Sequence, residues 1–353
     1  MTLPQNIRES FERQAGWCRE LGSPFTGLVC EMLAARLDDR SRFGARLHAW
    51  PGQPTADALP LRAAGALNAL ARSGDAAGLA RVYPPNAALS PDELWSATAA
   101  AIASDDDFLH DYLDSAPQTN EVARSVTILA GCLAIASLHR LPLEILEIGA
   151  SAGLNLGFDR YLYAFGEAHW GDPSSPVRLA PSWKGDPPPL DAPLAIAARA
   201  GCDISPLDPA SSTDRARLLS YIWPDQAQRL ARIETALDMA ASAPWRIERA
   251  DAAEWVERHL GAPPQSGRMR VLVHSIMWQY MPQETQARIN RTLEEAASTA
   301  SPEAPLAWLR LEPDGLPDGA ALSLDLWPGG RRLALGRADY HGSWVRFAGV
   351  LGG

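Results

Sequence analysis

The sequence predicts an α/β protein: an all-helical N-terminal region over residues 1–140, then a mostly parallel, doubly wound sheet over 141–353. Three observations carry this. Before residue 140 the apolar residues recur at helical spacing, and runs of β-branched residues are absent. After Leu143 short apolar runs alternate with helical segments, the pattern of parallel βα units. Near the end, 321–327 and 331–335 flank Pro328-Gly329-Gly330 and read as an antiparallel hairpin on the sheet's edge.

Taken in order, Leu28, Val29, Met32, Leu33 and Leu37 lie on one helical face, as do Leu61, Ala64, Leu67 and Leu70. Breaks are expected at Gly22-Ser23-Pro24, at Trp50-Pro51-Gly52-Gln53-Pro54 and at Tyr83-Pro84-Pro85-Asn86. Ser90-Pro91-Asp92-Glu93 is a helix start, with a capping serine, a first-turn proline and acids at the positive end of the dipole. A helix over 120–139 leads into a strand at 143. Further strands are expected at 194–198, 245–248, 269–276 and 306–311. A helical pair over 212–241 breaks and caps at Trp223-Pro224-Asp225, and another helix covers 283–297. The Pro-, Ser- and Gly-rich stretch 171–193 reads as a long loop or insertion.

Composition narrows the function. An apolar content of 46% and a charged content of 21% suit a soluble globular chain. A net charge of −10, with no basic run, argues against a nucleic-acid partner, because phosphates need a basic face. The first ten residues lack the apolar core of a signal peptide, and no long uninterrupted apolar stretch suggests a membrane span. Cys18, Cys30, Cys132 and Cys202 are scattered without metal-ligand spacing. They read as reduced thiols of a cytoplasmic protein, and no metal site is expected. Nothing in the sequence fixes an oligomeric state.

The stretch from Leu143 to Asn155, LEILEIGASAGLN, holds the chemistry. An apolar strand ends in Glu147, breaks at Gly149-Ala150-Ser151-Ala152-Gly153 and runs into a helix-compatible segment. In such a turn the backbone N–H groups at a helix start face a ligand. Two patterns fit. Glu147-x-Gly149-x-x-x-Gly153 is a nucleotide-cofactor loop, whereas Gly149-x-Ser151-x-Gly153 is a nucleophile elbow with Ser151 as the attacking group. The cofactor pattern asks for an acid after the next strand, to accept from ribose hydroxyls, and Asp203 in Gly201-Cys202-Asp203-Ile204-Ser205-Pro206 supplies one, with Asp208 as a competitor. It arrives about 50 residues after the loop rather than the roughly 20 of a compact unit, a delay the 171–193 insertion accounts for. Asp251 in Ala250-Asp251-Ala252 offers a carboxylate, and Ala252 a backbone N–H, for an adenine edge.

From Leu143 onward the chain resembles a class I S-adenosylmethionine-dependent methyltransferase. Glu147-x-Gly149-x-x-x-Gly153 is similar to that family's first motif, Gly201-x-Asp203-x-Ser205-Pro206 to its second, and Ala250-Asp251-Ala252 to its adenine-side motif. Ser151 stands where the family's middle glycine falls. The resemblance implies a Rossmann-like domain that binds S-adenosylmethionine through Glu147, Gly149, Ala150, Ser151, Gly153, Asn155, Asp203, Asp251 and Ala252. Over nearly its full length the chain also resembles an uncharacterised bacterial family. Phe11-Glu-Arg-Gln-Ala-Gly-Trp17-Cys18, Trp223-Pro224-Asp225 and His274-Ser275-x-x-Trp278-Gln279-Tyr280 carry that second likeness.

His274 ends an apolar strand at the ligand edge and is the expected base, with Ser275, Trp278, Gln279 and Tyr280 on the acceptor side. The alternative is a hydrogen-bonded core histidine. The 274–277 string His-Ser-Ile-Met is not the Asn/Asp-Pro-Pro-aromatic string of amino-methylating enzymes for nucleic acids or protein glutamine, and the acidic charge makes a small molecule or a protein the expected acceptor. Two other functions stay open. A Ser151 hydrolase would take Asp318 or Asp325 with His341, although the helical N-terminus lacks the strands that precede an elbow. A non-catalytic nucleotide-binding protein on the same fold is the other.

Overall fold

The computed structural model describes residues 3–86 and 90–349; the first two residues of the N-terminal stretch read for a signal peptide lie outside these. Up to Leu143 the described residues form helices and no strand. These are α1 (Gln5–Glu20), α2 (Pro24–Arg36), α3 (Arg42–His48), α4 (Leu59–Ser73), α5 (Ala77–Ala80), α6 (Pro91–Ser104), α7 (Asp106–Tyr112) and α8 (Ser125–His139). The breaks fall where glycine and proline place them. α6 begins with a full capping box, the Ser90 side chain accepting from Glu93 N–H and the Glu93 side chain from Ser90 N–H. α1 buries Ile7, Phe11, Ala15 and Cys18 along one face. It lies so close to α2 that a side chain on Gly27 would meet the Ala15 carbonyl at 3.0 Å.

The remaining elements are β1 (Leu143–Ile148), β2 (Leu162–Phe165), β3 (Ala168–Trp170), β4 (Arg178–Leu179), β5 (Ser182–Lys184) and β6 (Ile196–Asp203). Then come α9 (Ser212–Ser220), α10 (Ala227–Ala241), β7 (Ile247–Arg249), α11 (Ala252–Gly261), β8 (Met269–Ser275), α12 (Gln283–Ser298), β9 (Leu306–Glu312), β10 (Ala320–Trp327), β11 (Arg331–Ala338) and β12 (Trp344–Phe347). The main sheet runs β5-β12-β11-β10-β9-β8-β1-β6-β7. Its β7-β6-β1-β8-β9 half is parallel throughout, while β9 to β12 form an antiparallel meander.

Four expectations need correcting. The expected hairpin is present as β10 and β11, but it is part of a four-strand meander, with β5 joined in parallel to β12 at its edge. The segment 171–193 is therefore not a plain loop: it contains β4 and β5. The strand expected at 194–198 continues to Asp203, because Gly201 and Cys202 are paired to β1. The segment after the 149–153 turn is a short 3₁₀ helix, Asn155–Arg160, leading into the small sheet β3-β2-β4.

The chain forms two compact units, Met1–Thr119 with Ser212–Glu234, and Asn120–Ser211 with Thr235–Gly353. The first continuous part of the helical unit ends at Thr119. α8 belongs with the sheet because Gly131 has no side chain: a Cβ there would overlap the Leu309 side chain of β9. The stretch Val122–His139 is long and apolar enough to cross a membrane by composition, with mean hydropathy 1.6, yet 83% of it is buried within the protein. The inserted segment 212–234 is tied to the N-terminal unit by Asn68, whose amide donates to the carbonyls of Ser220 and Ile222 at 2.8 and 3.0 Å. Asp225 completes that tie. It was expected to cap the helix that follows it, but its carboxylate accepts from Ser23 Oγ and from Phe25 N–H, capping α2 instead.

Candidate active site at the carboxyl edge of the sheet

Strand order reverses at β1: β6 and β7 are added on one side, β8 and β9 on the other. Loops leaving β1 and β8 therefore part company at their carboxyl ends, the place where open α/β sheets take ligands. Pairing fixes which way the side chains face. Glu147 lies opposite Val273, and Val273 opposite Leu309, so these share the face that α8 covers. His274, one residue on, faces the other side, toward the cluster formed with α11 and α12.

The loop after β1 directs its amides inward. Ala150 N–H donates to Cys202 O (3.0 Å) and Gly153 N–H to Ala150 O (2.7 Å). Ser151 N–H donates to Asp203 Oδ2 (2.9 Å), while Ala152 and Leu154 N–H both donate to Asn120 Oδ1 (3.2 and 2.9 Å). The expected row of N–H groups facing a ligand is absent from 150–154. The physical reason is that no α-helix follows, so no stack of unpaired helix-start amides is left to point outward. Gly149 and Gly153 have φ of 67° and 72°, and each makes room for a neighbour. Met277 fills the space beside Gly149. Ile247 and Trp245 fill that beside Gly153, with Trp245 Nε1 donating to Gly153 O.

Ser151 has φ of 54° and, from the β8 loop, Ile276 has φ of 51°. A left-handed conformation is unfavourable for any residue with a Cβ and most of all for a β-branched one. Both loops at the point of reversal thus hold a strained residue, and such strain concentrates at functional sites.

Glu147 is buried at the end of β1. Burial pushes its carboxyl up to about 8, the charge of Asp203 adds to the rise, and Arg124 offsets part of it. Asp203 is bonded on both oxygens, Oδ2 by Ser151 N–H and Oδ1 by Ser205 N–H (2.8 Å). Asp251 Oδ1 caps α11, accepting from Ala253 and Glu254 N–H, and Ala252 is the first residue of that helix. Asp208 turns its own loop by accepting from Ala210 N–H. Glu147 Oε2, Ser151 Oγ and Asn155 Oδ1 are different: all three are buried and have no hydrogen-bond partner. Each such atom costs about 1–3 kcal/mol while it stays unmatched.

On the other face His274 is wholly buried, with Nδ1 2.7 Å from Glu312 Oε1 and Nε2 accepting from Trp308 Nε1 at 3.0 Å. The indole N–H can only donate, so Nε2 carries the lone pair and Nδ1 the proton. Both ring nitrogens of His274, the expected base, are thus engaged within the protein. Glu312 Oε1 also accepts from Met277 N–H (3.1 Å), and its Oε2 is buried without a partner. Trp278 stacks on His274 with ring centroids 5.1 Å apart. Ser275 is buried and its carbonyl accepts from Arg124, whereas Gln279 and Tyr280 point to solvent. For the elbow pattern, Ser151 Oγ has no base on it, Asp318 pairs with Arg337 and Arg346, and Asp325 pairs with Arg310.

Residues 8–347 match the profile of a family described as "Uncharacterized protein conserved in bacteria (DUF2332)". The chain belongs to this family. The match spans both units of this DUF2332 protein, from α1 to β12, and so includes the Asp225 cap as well as the Glu147 loop and the His274–Glu312 pair. Among curated proteins and among solved structures nothing matches it.

Sequence reasoning missed Asn120, Arg124 and Glu312. Asn120 and Arg124 lay inside an expected helix, and Glu312 just past the strand expected at 306–311. One signal for Glu312 was available: position 312 alternates with Trp308 and Arg310 on the same strand face as His274.

Proposed function

We propose that this DUF2332 protein is a Rossmann-like, S-adenosylmethionine-dependent methyltransferase acting on a small-molecule acceptor in the cytoplasm. The observation that carries this reading is the set of three buried, unmatched polar atoms, Glu147 Oε2 at the end of β1, Ser151 Oγ in the loop after it and Asn155 Oδ1 at the start of the 3₁₀ helix, at the point where strand order reverses. The parallel half, β7-β6-β1-β8-β9, follows the 3-2-1-4-5 succession of a dinucleotide-binding sheet. A pyrophosphate would need outward N–H groups, which this loop lacks, and would meet Glu147 instead. A cationic methionine end suits a carboxylate.

In this reading Glu147 takes the ammonium group of the cofactor. Asp203, held beside the loop by Ser151 and Ser205 N–H, is the carboxylate offered to the ribose hydroxyls. Asp251 turns Oδ2 to the adenine edge while Oδ1 caps its helix. Gly149, Ala150, Gly153 and Ala252 set the backbone shape rather than donate. When bound, the cofactor supplies an electrophilic methyl group, and the protein's part is to hold it, align an acceptor and keep water away.

Calorimetric titration with S-adenosylhomocysteine tests this. Binding is expected, weakened about tenfold or more in Glu147→Ala and in Asp203→Ala, since each removes a charged partner. No heat at about 1 mM ligand would overturn the assignment. Labelling of Ser151 by a fluorophosphonate would favour the hydrolase alternative; none is expected.

A further inference from the structure

We infer that Glu312 anchors a protonated amine at the carboxyl edge of β9, with His274 as its positioning residue and Trp278 as an aromatic wall. This goes beyond the cofactor reading and does not depend on it, because Glu147 and Glu312 face opposite sides of the sheet.

The Glu312 carboxylate is aimed. Its Oε1 is fixed twice, by His274 Nδ1–H at 2.7 Å and by Met277 N–H at 3.1 Å, which leaves Oε2 one orientation. Oε2 is buried and unmatched, on a side chain only 11% exposed. Its one ion-pair partner among the described residues is His274, whose Nε2 accepts from Trp308 Nε1. Arg310, two residues back on the same strand face, is paired with Asp325 at 2.9 Å and lies over the Trp308 ring.

A carboxylate oxygen with nothing to accept from calls for a donor, and one without a counter-charge calls for a cation. Two tryptophans pack around His274, which holds Glu312. Trp278 is half-buried, stacks on His274 and lies 5.5 Å from Trp308. Behind it Ile276 is held in a left-handed conformation that only a well-determined loop sustains. Met277 links the two sides of the sheet, since its side chain packs on Gly149 while its N–H holds Glu312. An amine seated on Oε2 would stand next to the β1 loop.

The test is calorimetry on the full chain with three isosteres, benzylamine, benzyl alcohol and benzoate, near neutral pH. Benzylamine is expected to bind, the alcohol about tenfold more weakly, and benzoate not detectably. Glu312→Gln should lose the amine by about tenfold while keeping the Oε1 contacts and the melting temperature. Trp278→Leu should weaken it less. Equal binding of all three, or no benzylamine binding at about 20 mM, overturns the proposal without needing any variant. Undiminished amine binding by folded Glu312→Gln overturns it too. The S-adenosylhomocysteine titration reports separately on Glu147, so failure of one leaves the other readable.

Discussion

Asn120 Oδ1 accepts hydrogen bonds from both Ala152 and Leu154 N–H, at 3.2 and 2.9 Å, so one amide outside the β1 loop holds two of its turns. Replacing Asn120 with Ala would leave two buried N–H groups unmatched. The expected destabilisation is about 2–4 kcal/mol by denaturant unfolding. Asn120→Asp, which keeps an acceptor, should be milder. An unchanged unfolding midpoint in Asn120→Ala would show that the loop holds itself.

The Glu147 carboxyl is raised from 4.5 to about 8 by burial, then by Asp203, against Arg124. A carboxyl raised on folding binds its proton more tightly in the native state. Its contribution is complete below about pH 4.5 and is lost as pH climbs through about 8, by an amount on the order of a few kcal/mol. Stability should therefore fall across this window, and Glu147→Gln should flatten the fall. A pH profile that is the same in both proteins would contradict the burial of this charge.

The same shift sets how a cation binds there. At neutral pH most Glu147 carries a proton, which must leave before the group can accept an ammonium. S-adenosylhomocysteine should bind more tightly as pH rises toward 8, releasing a proton. Titrations in buffers of different ionisation heat would measure that release.

Gly342 has φ of 71°, and a side chain there would meet the Ala123 backbone at 2.6 Å. Gly342→Ala should cost about 2–4 kcal/mol, from left-handed strain and a clash that no flexible side chain can relieve. Thermal melting would check this. Because Ala123 adjoins Arg124, ligand affinity should fall as well.

Asp225→Ala removes the α2 cap in the other unit and should cost about 1–2 kcal/mol. S-adenosylhomocysteine affinity should be unchanged. A drop in affinity would link that cap to the ligand site.

The order of helices and parallel strands was legible in the sequence because it rests on periodicity. Ser90 and Glu93 announced their helix, and Glu147-x-Gly149 marked where β1 ends. Local hydrogen bonding was less legible. Asp251 sits before a helix and caps it, but nothing near Asp225 in sequence points to Ser23, about two hundred residues away. His274 was found as a site residue, yet its role turns on Trp308 and Glu312, which reach it only through strand pairing. The 3₁₀ helix after Gly153 was missed because Leu154 to Phe158 is apolar enough for an α-helix. What redirects it is Tyr161 and Tyr163, whose hydroxyls donate to the carbonyls of Leu154 and Phe158.

Segment 212–234 belongs with the N-terminal unit, though the strands β1 and β6 are made before it. On a ribosome, residues 1–119 therefore emerge with part of their own core still unwritten. They wait through more than a hundred further residues, on the order of ten seconds of synthesis, before Asp225 can reach Ser23.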